Sequence, residues 1–113
     1  MSFDKCTLWV RWYSSWDEIG RRYGVVATAH SGNSTQKVND WTSKCRSIAN
    51  NDGWNHNPQT WPTHGDPFLN AEAACDINFV HGPVGYHEYL EWHQEVSNHW
   101  LGLHPDCDVY MVI

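Results

Sequence analysis

The chain has 113 residues and a mass of 13.1 kDa, which is enough for one hydrophobic core and too little for two domains. Hydrophobic residues make up 41% and charged residues 18%, values typical of an ordinary globular chain rather than a disordered or membrane-embedded one. The formal net charge of -6 argues against nucleic-acid binding, which needs basic side chains to neutralise phosphates. We therefore expect one globular domain over residues 1–113, with neither a membrane nor a nucleic acid as partner.

The charges are distributed unevenly along the chain. All seven basic residues precede residue 47 together with only four of the 13 acidic residues, so nine acidic residues (13 minus 4) follow. This asymmetry suits a partner that is basic, unless the two parts interleave in space and their charges cancel. The basic residues are Lys5, Arg11, Arg21, Arg22, Lys37, Lys44 and Arg46.

The first elements predict a strand, a short helix and a second strand. Apolar and polar side chains alternate over residues 7–13, the period of a half-buried strand. Ser15 and Glu18 have the spacing of a capping box, which predicts a helix from Trp16 to a cap at Gly24. Residues 25–30 are apolar and rich in β-branched side chains, as in a buried strand. The helix is short for a crossover between parallel strands, so an antiparallel pairing of the two strands is the alternative.

A second helix is predicted from Thr35 to Ala49, because its apolar residues recur at steps of three and four, with Asn33 or Ser34 as the N-cap. Residues 54–67 contain prolines, tryptophans and histidines without periodicity and predict a long ordered loop. A short helical turn around residues 70–74 and a third strand at residues 76–81 follow.

The clearest helix is predicted between Gly82 and Leu103. Its apolar residues line one face, Pro83 suits the first helical position, and Gly102 followed by Pro105 suits the end. The predicted stripe consists of Tyr86, Tyr89, Leu90, His93, Val96, Trp100 and Leu101. A fourth strand is predicted at residues 108–113.

The order strand, helix, strand, helix, loop, strand, helix, strand predicts an α/β or α+β fold with a single, mostly four-stranded mixed sheet and about three helices. Cys6, Cys75 and Cys107 each stand two residues before the first core residue of a predicted strand. This regularity suggests that three strands begin at the same edge of the sheet.

The cysteines also bear on the cellular compartment. The chain opens without a basic start followed by an apolar run, so we expect no secretory signal and a cytoplasmic protein. Cys6, Cys45, Cys75 and Cys107 are widely spaced without a C-x-x-C pair, so free and mostly buried thiols are expected. A disulfide framework is the alternative.

The first candidate site is a ligand pocket at strand ends. If the second and third predicted strands are parallel, His30, Ser31, Asn33 and His81 lie together at their carboxyl ends, where open α/β sheets bind ligands. His56, Trp61 and His64 could form a lid over a small hydrolase site or a nucleotide or small-molecule site. No Walker A, G-x-S-x-G, HExxH or G-x-G-x-x-G motif occurs in the sequence. We therefore do not favour an enzyme, and we expect no cofactor.

The second candidate is a metal site on the last helix. His87, Glu91, Glu95 and His99 follow one another at steps of four, so adjacent members stand one turn apart and could share a zinc or nickel ion. Four successive turns cannot all converge on one tetrahedral ion, however. A solvated acidic face accounts for the same residues without a metal.

His93 is the third candidate, because it stands in the middle of the apolar stripe. An imidazole there must be hydrogen-bonded or pay a desolvation penalty. It could serve a pocket floored by Tyr89 and Trp100. The alternative is a core histidine that bonds to a backbone carbonyl.

The eight tryptophans leave several outside the predicted apolar faces, namely Trp9, Trp54, Trp61 and Trp92. Exposed tryptophans are common at protein-binding hot spots, although core packing is the alternative, particularly for Trp9. The sequence thus predicts a small acidic binding protein, of the inhibitor or immunity type, that occupies a basic surface of a larger protein. Its predicted partner-binding residues are Trp54, Trp61, Glu88, Glu91, Trp92 and Glu95.

Overall fold

A computed structural model describes residues 6–17, 20–30, 34–48, 56–63 and 71–113. The fold is α+β, with one five-stranded mixed sheet and two helices in these ranges. The elements are β1 (Cys6–Asp17), β2 (Arg21–His30), α1 (Ser34–Ile48), β3 (Gln59–Pro62), β4 (Ala73–Phe79), α2 (Pro83–Leu103) and β5 (Cys107–Val112). The strand order is β3-β4-β2-β1-β5. The predicted class and the mixed sheet are confirmed, and the described part of the chain has one strand more and one helix fewer than predicted.

The helix predicted from the Ser15–Glu18 capping box is wrong. β1 continues to Asp17 and forms an antiparallel hairpin with β2, in which Ser15 pairs with Tyr23 and Asp17 with Arg21. The Arg21 guanidinium donates to the Asp17 carboxylate at 2.9 Å and to the Ser15 hydroxyl at 2.9 Å, so Ser15 stabilises the hairpin and does not cap a helix. Cross-strand pairing therefore overrides the local helix signal, and the antiparallel alternative holds.

The region predicted as one long loop contains β3, which pairs antiparallel with β4 at the edge of the sheet. Pro62 ends this strand, a position where the missing N–H does not break a central ladder. The helical turn predicted around residues 70–74 is wrong for its last two residues, because Ala73 and Ala74 begin β4. His64, which was predicted to belong to the lid, and Trp54, which was predicted to bind a partner, lie outside the described residues.

Both helices pack on one face of the sheet and enclose the core. Leu8, Val25 and Ile77 on the strands meet Trp41 of α1 and Trp100 of α2, all fully buried. The α2 stripe is confirmed for Tyr89, His93, Val96 and Trp100, whereas Tyr86 is largely exposed. No helix in the described ranges is long and apolar enough to span a membrane.

Two contacts join α1 to α2 and fix the position of α2. The Trp100 indole Nε1 donates to the Lys37 carbonyl oxygen at 2.9 Å, and the His104 ring lies 2.8 Å from the Asp40 carboxylate. Gly85 brings the start of α2 against the end of β4, because a Cβ there would lie 1.6 Å from the Val80 carbonyl oxygen. The long helix is therefore anchored near both of its ends.

The expectation of four free thiols is wrong for two of them. Cys6 and Cys107 stand directly opposite each other on the parallel strands β1 and β5 and form a disulfide. Cys45 and Cys75 are free and buried, as predicted. Burial raises the pKa of the Cys45 thiol well above its usual range, and a hydrogen bond with Cys75 adds to the rise.

The spacing of Cys6, Cys75 and Cys107 predicted the direction of three strands correctly, but not that all three strands begin at the same edge of the sheet. β1, β4 and β5 run in the same direction, because β2 is antiparallel to both β1 and β4. Cys75, however, pairs with Val25, which pairs with Trp12, so Cys75 lies six residues farther along the sheet than Cys6. Only Cys6 and Cys107 mark a common edge.

Candidate functional site

The outward face of α2 carries the acidic residues that the sequence singled out. Glu91 and Glu95 expose 68% and 51% of their side chains, and Glu88 is partly exposed. The helix contains three glutamates and neither lysine nor arginine, so with neutral histidines its formal charge is -3. Among the described residues, no lysine or arginine forms an ion pair with these glutamates. The face therefore remains available to a positively charged partner.

The histidines on this face stand beside the glutamates. The His87 ring lies 2.8 Å from Glu91, and the His99 ring lies 4.0 Å from Glu95. When protonated, these two imidazoles bring positive charge to the face and offset part of its acidity. The four residues of the predicted metal site thus form two separate pairs, and in the part of the chain that the structure describes no three histidine, cysteine, aspartate or glutamate side chains could hold an ion together.

Trp92 does not belong to this exposed face. It is only 7% exposed and packs against Phe79 and His93 in the core, so it is not available to a partner. Tyr86 lies at the same end of the helix as Glu88 and exposes 46% of its surface. The sequence placed Tyr86 in the apolar stripe, which is the reason that it was missed as a surface aromatic residue.

Several basic residues of the first half of the chain already have partners other than the acidic face of α2. Arg22 is buried with Asp76, and its Nε donates to the carboxylate oxygen at 2.6 Å. Arg21 pairs with Asp17, and Arg46 donates to the Thr60 hydroxyl at 2.6 Å. The two halves of the sequence therefore interleave at the Arg22–Asp76 pair, while the acidic face of α2 stays separate from it.

The predicted pocket of His30, Ser31, Asn33 and His81 is not assembled. β2 and β4 are antiparallel, so the end of β2 at His30 pairs with Thr7, whereas the end of β4 pairs with Arg21 at the start of β2. The nine steps from Arg21 to His30 span about 30 Å at about 3.3 Å per residue. Ser31 and Asn33 lie outside the described residues. The premise of parallel strands is wrong, and His81 stands at the opposite end of the sheet from His30.

His56, predicted to belong to a lid, is instead part of the sheet edge. It is buried, its Nδ1 lies 2.7 Å from the Asn78 carbonyl oxygen, and the Asn78 N–H donates to the His56 carbonyl oxygen at 2.9 Å. Its ring also packs 5.0 Å from the ring of Phe79. These contacts hold His56 against β4, so it cannot open and close over a ligand. Trp61 lies on β3, the opposite edge strand from β5.

His93 is a core residue, with 2% of its surface exposed. Its ring packs edge-on against Tyr89 and Trp92, at centroid distances of 5.0 and 4.6 Å. Its Nδ1 is buried without a hydrogen-bond partner. Burial lowers the pKa of His93 to about 3, because the charged imidazolium would have no solvation there.

The sheet also exposes an aromatic patch that the sequence did not single out as one surface. Trp9 and Tyr110 are neighbours on β1 and β5, with ring centroids 4.8 Å apart and exposures of 44% and 54%. With Trp12 and Val112 they line a shallow depression of about 460 Å³ at the β5 edge. The alternation of residues 7–13 was the only signal of this patch in the sequence, because it placed Trp9 on the other face of the strand from Leu8 and Val10. Core packing of Trp9 is excluded by its exposure.

Comparisons of the chain with known protein families, with curated proteins and with solved structures found no match.

Proposed function

We propose that this protein is a small acidic binding protein, of the inhibitor or immunity type, whose helix α2 occupies a basic surface of a larger protein. The observation that carries the proposal is the outward face of α2, where Glu88, Glu91 and Glu95 stand without a lysine or arginine on the helix. A single-sign surface of this kind speeds association with a surface of opposite charge and selects against acidic partners.

The packing of α2 against the rest of the domain supports the proposal. A binding helix gains affinity when it is already ordered before the partner arrives, because less conformational freedom is lost on association. Here Tyr89, Val96 and Trp100 are fully buried beneath the acidic face, and Trp100 is bonded to α1. The glutamates are thus presented from a rigid element.

The contact set differs from the one that the sequence suggested. Glu88, Glu91 and Glu95 remain its charged part, and Tyr86 replaces Trp92 as the neighbouring aromatic anchor. Trp61 would need a second area of contact, since β3 lies at the far edge of the sheet from β5. The cytoplasmic location stays a prediction. The Cys6–Cys107 bond favours an oxidising compartment, where such bonds persist.

The test compares two variants that each lose two negative charges, one on the acidic face of α2 and one at a control site. Glu91→Gln with Glu95→Gln removes two negative charges from α2, and Asp106→Asn with Asp108→Asn removes two from exposed positions beyond the helix. We expect the α2 variant to bind a partner captured by the wild type on the order of tenfold more weakly at low salt, and the control variant to bind normally. Equal binding by both variants, or binding indifferent to salt, would exclude the acidic face as the contact.

A further inference from the structure

The two edges of the sheet differ in how they are protected against pairing with a further strand. At one edge, β3 is only four residues long and contains Pro62, which cannot donate to another strand. At the other edge, β5 has six residues with neither proline nor lysine, and among the described residues no strand pairs with its outer side. The backbone N–H and C=O groups along that side therefore form a template for one more strand.

The aromatic patch lies directly beside this edge. Trp9 of β1 and Tyr110 of β5 are neighbours on the face of the sheet away from the helices, and Val112 follows Tyr110 on the same face. Trp12 also lines the depression at the end of β5. These four side chains are 44% to 60% exposed, so an added strand would cover apolar surface in addition to pairing with the backbone of β5.

Strand β5 is held in place before any partner arrives. The disulfide between Cys6 and Cys107 ties its first residue to β1, and all six residues of β5 pair in register with β1. Val109 and Met111, on the other face of β5, pack against the core. Because the edge is already ordered, pairing with a further strand costs little conformational entropy.

We propose that β5 pairs antiparallel with β5 of a second copy of this chain, about a two-fold axis at Tyr110. The two sheets then join into one sheet of ten strands, five from each copy. The Tyr110 side chains of the two copies face each other at the axis, and each is flanked by Trp9 of its own copy, 4.8 Å away. In this register Asp108 of each copy stands opposite Val112 of the other copy.

The charges along this edge complement each other under the two-fold rotation. Asp108 stands near the start of β5, and Arg11 pairs with Val112 at its end, and both charged residues are exposed. The rotation brings Asp108 of one copy two strands away from Arg11 of the other, about 10 Å between backbones, which the two side chains can bridge. The two Asp108 carboxylates are four residues apart along the pair (112 minus 108), about 13 Å, so they are not opposed.

The surface is large enough for a weak dimer. At exposures between 44% and 54%, each of the three aromatic side chains presents on the order of 100 Å². With Val112 and the backbone of the strand, each copy contributes about 500 Å² and the pair about 1,000 Å², which is the lower limit of specific protein interfaces. We therefore expect a dissociation constant in the micromolar range.

The first measurement is sedimentation velocity of the protein without reductant, at concentrations from about 1 to about 200 μM. We expect a reversible equilibrium between monomer and dimer, in which the fraction of dimer rises with concentration. A monomer at every concentration would overturn the proposal, and an extended segment of another protein would then be the partner to seek at this edge.

Two substitutions at the axis test its position. Tyr110→Glu and Tyr110→Lys each place like charges directly opposite each other, so each variant alone should dimerise at least about tenfold more weakly than the wild type. An equimolar mixture of the two variants places opposite charges at the axis and should recover dimers. Tyr110 is 54% exposed, so both variants should fold, and Leu103→Glu, at an exposed apolar position on α2, is the control that should dimerise normally. Normal dimerisation of Tyr110→Glu, or a mixture no more associated than its components, contradicts the proposed pairing.

Discussion

The buried imidazole of His93 makes the stability of the fold depend on pH. Burial lowers the pKa of His93 from 6.5 to about 3, so the folded protein keeps this ring neutral over a range in which the unfolded chain protonates it. Between these two values the unfolded state binds one proton more than the folded state. The contribution of His93 to the free energy of unfolding is therefore fully present above pH 6.5. It is lost as the pH falls below that value, at about 1.4 kcal/mol per pH unit.

Lowering the pH from about 7 to about 4.5 should then cost about 3 kcal/mol from His93 alone, a large share of the roughly 5–15 kcal/mol of a typical domain. Urea unfolding followed by tryptophan fluorescence at several pH values measures the slope. His93→Leu replaces the imidazole by an apolar side chain of similar size, so the slope should decrease by the contribution of one proton. His99→Ala, which removes an exposed histidine from the same helix, is the control for a substitution on α2.

The comparison isolates His93, because wild type and His93→Leu differ only at this ring. If His93→Leu and the wild type lose stability with the same slope between about pH 6.5 and pH 4, the burial argument for this ring is refuted.

Two further predictions concern the covalent bridge and the buried ion pair. Cys107→Ser should lower the free energy of unfolding by about 4 kcal/mol, because the bridge closes a loop with a sequence separation of 101 residues; a comparison of urea midpoints with and without reductant checks this, and equal midpoints would contradict it. Asp76→Asn should cost about 3–5 kcal/mol because it leaves Arg22 buried without its counter-charge, whereas Asp17→Asn, in an exposed pair, should cost less than about 1 kcal/mol. Similar losses in thermal unfolding for the two aspartate variants would show that burial does not set the cost.

Helix α2 could be predicted because its signals are local. Pro83 at the start and a run of apolar residues at helical spacing lie within the helix itself, and α2 begins at Pro83 as predicted. Its end is wrong by two residues, because the helix continues through Gly102 to Leu103 and Gly102 is not the left-handed cap. The capping box at Ser15 is equally local, yet it failed. There the hairpin with β2 supplies ten paired positions, and its hydrogen bonds outweigh one helix cap.

The features that the sequence did not reveal depend on contacts between distant residues. Whether Cys6 meets Cys107 depends on the first and last strands being neighbours, which follows from strand order and not from spacing. Trp92 lies next to His93 in the chain, and its contact with Phe79 of β4 helps to bury it.

The disulfide between the first and last strands turns nearly the whole domain into a covalent ring. A single cut by a protease anywhere between Cys6 and Cys107 opens this ring without releasing a fragment, so the cleaved chain keeps its mass until a reductant is added. Mechanical force shows the same property. A pull on the chain before Cys6 and after Cys107 passes through the sulfur atoms and bypasses every strand and helix, so the domain acts as a short inextensible link.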